Sequence, residues 1–157
     1  MITSCAVGIR GCSRIVDPTN FQRVVDETPD KTRGMLRDYF ETGALEDPRT
    51  AGVEDAAGKL GVEDYSDGSL RVTLAGPKNP LLALVVRFAP KTDGDGTRVE
   101  VTSDATGLAR SLRGVDAPDL HRQIRDEVQS ALGRIDRHRT METGFLLSRL
   151  IARARDD

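Results

Sequence analysis

The chain has 157 residues, of which 38% are hydrophobic and 31% charged, with a formal net charge of −2 at neutral pH. That length suits one domain, the composition excludes both a disordered chain and a membrane-embedded one, and the charge gives no general pull toward nucleic acid. With four Phe, two Tyr and no Trp, a base-stacking platform has little to be built from.

Residues 1–20 fit either a strand around CAVGI or a loose tail. Cys5 and Cys12 stand in SCAVGIRGC with no second Cys pair or His pair nearby, so they read as ordinary small thiols. Arg10 and Arg14 interrupt the apolar patches there, so no signal peptide is expected. No stretch is long enough to cross a bilayer, and the expected location is the cytoplasm.

FQRVV, Phe21 to Val25, has strand-forming residues. The helix expected after it opens with Thr28 as cap and Pro29 as first helical residue, and Gly43 can end it. Its buried stripe is Met35, Leu36, Tyr39 and Phe40. A second, weaker helix is expected between Asp47–Pro48 and Gly61, with Gly52 and Gly58 lowering its propensity.

The period then changes. After an edge strand at VEDY, Leu70, Val72 and Leu74 alternate with Arg71 and Thr73, as in a strand with one buried face. GPKNP is a loop, LLALVVRFA is apolar on both faces as a mid-sheet strand would be, and PKTDGDG has the Asp and Gly of a hairpin connection. TRVEVTS follows with Val99 and Val101 inward, which completes an antiparallel meander. TDGDG lacks the following helix of a phosphate loop and the ligand series of a calcium loop. Glu63, Asp64 and Asp67 read as exposed acids rather than an acid–base pair.

In DAPDLHRQIRDEVQSALGRIDRHR, Leu120, Ile124, Val128, Ala131 and Ile135 share one narrow sector of a long helix. Asp116 or Asp119 can cap it, Pro118 stands near its start, and Arg122, Arg125, Asp126 and Arg137 lie opposite the stripe. The stripe should cover the sheet. If the helix persists, His138 falls on the stripe at its end and His121 on the flank near its beginning, a spacing that forms no helix-borne metal pair. Structural or solvated roles are expected for both histidines, with no catalytic residue, metal or cofactor. Residues 140–157 should add an accessory helix whose apolar side is Leu146, Leu147, Leu150, Ile151 and Ala154, a face for the body of the domain or for a second copy. A membrane-surface role is disfavoured by Asp156 and Asp157.

Three stretches, FQRVVDETPDKTRGMLRDYF, DGDGTRVEVTSD and LHRQIRDEVQSALGRI, together running from Phe21 to Ile135, resemble the helix-grip fold of the START and polyketide cyclase-like (SRPBCC) superfamily. The resemblance implies one α+β domain over 1–157, with an antiparallel sheet wrapped on a long C-terminal helix and an apolar cavity between them. It implies a carrier or sensor of a small apolar ligand. No shared catalytic residue carries over. The chain departs from that pattern in having five or six expected strands and in the tail beyond Arg139. From strand alternation and the helix stripe, the expected lining is Leu84, Val86, Phe88, Val99, Val101, Ile124 and Val128. The alternatives are a solid-cored interaction module, forming a homodimer through 145–154, and a cyclase or hydratase-type enzyme with a buried titratable group in the cavity.

Overall fold

The alternation along residues 70–103 becomes the centre of an antiparallel sheet. A computed structural model describes residues 18–42, 52–53, 60–141 and 144–156. Its elements are β1 (Asn20–Val25), α1 (Pro29–Glu41), β2 (Gly61–Asp64), β3 (Leu70–Leu74), β4 (Leu82–Pro90), β5 (Thr97–Asp104), α2 (Thr106–Ser111), α3 (Ala117–Asp136) and α4 (Leu147–Asp156). The fold is α+β. The five strands lie in the order β1-β5-β4-β3-β2, so the first strand pairs with the last and β4 is central.

Register puts one apolar row across the sheet: Phe21 faces Val101, Val101 faces Val86, and Val86 faces Leu70. Leu84, Val99, Val72 and Leu74 share that face, and each has lost all contact with solvent. Burying an aliphatic side chain of this size contributes about 1.5–3 kcal/mol. The opposite face carries Gln22, Arg71, Arg87, Arg98 and Glu100; Gln22 donates to Glu100 at 3.2 Å, and the Arg71 guanidinium stacks 3.7 Å from the Tyr65 ring centroid.

All the long helices serve the apolar face. The Thr28 hydroxyl accepts from Lys31 N–H at 3.4 Å, and Pro29 starts α1. That helix buries Leu36, Tyr39 and Phe40, while Met35 is only partly covered. In α3 the expected stripe Leu120, Ile124, Val128, Ala131 and Ile135 is buried. Asp116 occupies its N-cap position without a side-chain cap bond, and Asp119 instead pairs with Arg122 at 2.7 Å. The accessory helix is α4, and its Leu147, Leu150, Ile151 and Ala154 are buried within the chain. The apolar patch that would have faced a second copy is therefore covered, with only Leu146 intermediate.

Several expectations change. The short helix α2 lies in DATGLARS, where six helical residues with a Gly are too few for a 3.6-residue rhythm to register. Asp104 opens it, its carboxylate accepting from Thr106 N–H at 3.0 Å. Gly61 begins β2; the helix expected from Asp47 falls almost entirely outside the described residues, as do Cys5, Cys12 and Gly43. The long helix ends at Asp136, so His138 leaves the stripe, adopts φ of 55° and is exposed. Of the structural and solvated roles expected for His121, the structure has the first, with the residue 4% exposed. Among the described residues no helix is long and apolar enough to cross a membrane.

Candidate functional site

Chain reversal after α3 creates a groove. His138 N–H donates to the Ile135 carbonyl at 3.0 Å and Arg139 N–H to the Arg134 carbonyl at 2.8 Å, so the backbone folds back over the helix end. The left-handed conformation at His138 is the one such a reversal needs, and it is normally taken by Gly or Asn. Arg134 then reaches the Thr140 carbonyl at 3.3 Å, which ties down the segment that follows. Farther on, Phe145 N–H donates to the Tyr39 carbonyl at 3.2 Å, and its ring packs edge-on to Tyr39 with centroids 6.1 Å apart. Residues 138–140 and Phe145 are thus pinned beside α1.

Two clefts lie between this segment and α1. One, of about 410 Å³, is lined by Met35, Asp38, Tyr39 and Thr42 of the helix and by Thr140, Met141 and Gly144. The other, of about 320 Å³, shares Met35, Thr140 and Met141 and continues to Glu27, Lys31, Ile135, His138 and Arg139. The shared residues make the clefts one groove. Met35 and Met141 are partly buried against the core, and Tyr39 and Ile135 complete an apolar floor.

Part of the charge at the rim is paired. Lys31 stands 3.2 Å from Glu27, and His138 lies 3.5 Å from Glu27 and 3.7 Å from Asp26. The backbone N–H of Thr28, with Lys31 and His138, holds the Glu27 carboxyl below its ordinary value. Beneath the floor, the Tyr39 hydroxyl donates to Glu127 at 3.2 Å, and Arg149 of α4 meets the same carboxylate at 2.7 Å. Burial, reinforced by the Glu127 charge, pushes the Tyr39 phenol well above its ordinary value. Tyr39 is therefore a neutral hydrogen-bond donor throughout the physiological range, and its proton is committed to holding α1, α3 and α4 together.

Most of the residues expected to line a cavity are elsewhere. Leu84, Val86, Val99, Val101, Ile124 and Val128 are each 0% exposed and belong to the core cluster, and none of them lines any of four described clefts. Phe88 is partly buried and borders a cleft of about 360 Å³ together with Arg87, Arg98 and Glu100. Sequence reasoning missed the groove residues Met35, Tyr39, Met141 and Thr140. Met35 and Tyr39 carry a legible helical stripe, but nothing in that stripe says that its edge stays uncovered.

Both histidines have structural partners. Buried His121 accepts at Nε2 from Ala105 N–H at 2.9 Å, which fastens the end of β5 to α3. Among the described residues no group of three or more His, Cys, Asp or Glu could hold a metal ion. Comparison with family models and with curated proteins finds no match for this chain.

Proposed function

We propose that the protein is a non-catalytic carrier or sensor of a small apolar ligand, held in the groove between α1 and the segment after α3. The observation that carries this reading is the continuity of the two clefts through Met35, Thr140 and Met141 over an apolar floor. Ligand sites for small molecules typically enclose about 300–1,000 Å³, and each cleft falls in that range. Methionine suits such a floor because its unbranched thioether adapts to different shapes. The Lys31–Glu27 pair at the rim and the apolar floor favour an uncharged body over an ionic one.

The helix-grip arrangement is part of the same proposal. A long helix that follows the last strand and packs on the apolar face of an antiparallel sheet supports it. In that fold the ligand lies between sheet and helix. Here that space holds fully buried Leu, Val and Ile side chains, which is why the groove is the better site.

Thermal unfolding with octanol as the apolar probe tests the reading. The melting temperature should rise with octanol concentration, since a ligand that prefers the native state stabilises it by mass action. Met35→Leu should keep that rise and Met35→Glu should abolish it while the protein stays folded. No rise in the unsubstituted protein, or a rise that Met35→Glu leaves intact, would overturn the groove assignment.

A further inference from the structure

A second cleft differs from the groove in its electrostatics. It has a volume of about 520 Å³ and lies between the β3–β4 loop and α2, with buried Val53 and Leu81 in its lining. Lys78 of the loop and Arg110 of α2 both line it and both are exposed. Among the described residues neither makes an ion pair or a side-chain hydrogen bond. Among the described residues the polar remainder of the lining, Asn79 and Ser111, is neutral, and no Asp or Glu is in it.

The other clefts are balanced. Lys31 in the groove has Glu27 beside it, and the cleft bordered by Arg87 and Arg98 also contains Asp67 and Glu100. In a chain of net charge −2, the described residues of the cleft holding Lys78 and Arg110 concentrate one sign. A concave surface lined by one sign focuses potential and raises the local concentration of the opposite ion. Arg offers a planar fork to an oxyanion and Lys a mobile point charge, so the two together suit a small group with two negative charges.

We propose that this cleft binds a small dianion, a phosphate monoester or a dicarboxylate, through Lys78 and Arg110. The site is separate from the apolar groove and stands whether or not the groove binds a ligand. Calorimetric titration at low ionic strength, with inorganic phosphate in one arm and succinate in the other, tests it and distinguishes the two sources of charge. Saturable binding is expected in at least one arm. Lys78→Gln and Arg110→Gln should each weaken it by about tenfold, the loss of one charge-assisted hydrogen bond. Arg98→Gln, which removes a cation on the outer sheet face, should leave it unchanged. Both lining cations are exposed, so the variants should fold, and unchanged melting temperatures would show that they do. Binding of neither anion would overturn the proposal, as would equal weakening by Arg98→Gln, which would mean diffuse attraction to the whole surface.

Discussion

A single acceptor explains the buried imidazole of His121. With Nε2 receiving the Ala105 N–H at 2.9 Å, the ring replaces the partner that this backbone group loses where β5 ends. His121→Leu keeps the bulk but strands the amide, and an unsatisfied buried donor costs about 1–3 kcal/mol. Chemical denaturation should show that loss, whereas a change under about 0.5 kcal/mol, the range of ordinary surface substitutions, would mean that the bond contributes nothing. Tyr39 gives a prediction in pH. Its pKa is raised in the folded state, so its contribution is fully present below the unfolded tyrosine value of about 10 and is lost as pH rises beyond it. The stability of Tyr39→Phe should fall less steeply above about pH 10 than that of the unsubstituted protein; parallel alkaline limbs would contradict the buried-phenol account. Neither role was readable from the sequence. A flank position on a helix says nothing about whether a strand end needs an acceptor, and Glu127 and Arg149 meet only because α3 and α4 pack together.

Helix α3 packs on the sheet and α4 packs on α3, and their stripes should be core in both. Ile124→Ala and Leu150→Ala each remove a fully buried side chain, and each should cost about 2–5 kcal/mol by denaturant unfolding. A loss at Leu150 below about 0.5 kcal/mol would mean that α4 is not docked as described. At this scale the sequence was most informative. Alternation along Leu70–Leu74 and Val99–Val101 determined which side chains turn inward there, because a strand repeats every second residue and a one-residue slip would expose the whole set. The stripe Leu120 to Ile135 was legible for the analogous reason at helical spacing. What escaped was aperiodic: the six residues of α2 and the reversal at His138, where a residue other than Gly takes a positive φ. A left-handed His at a helix end has no composition signal, so the end of α3, and with it the groove, was invisible beforehand.

For the molecule as a whole, the question is whether its apolar interior is a container or a foundation. Of the seven residues expected to line a cavity, six are buried and Phe88 is only partly so, and being buried and lining a ligand site are different properties. Periodicity reports only the first. Six of those residues are fully buried in one core, while Met35 and Met141, two of the three methionines in the chain, border the groove. Their methyl groups therefore provide a direct reporter. Methyl resonances of Met, Val and Ile, followed by NMR during an octanol titration, should show saturable shifts at Met35 and Met141, with Val86, Val101 and Ile124 unmoved. Shifts that instead concentrate on Val86, Val101 and Ile124 would place the ligand between sheet and helix and contradict the groove.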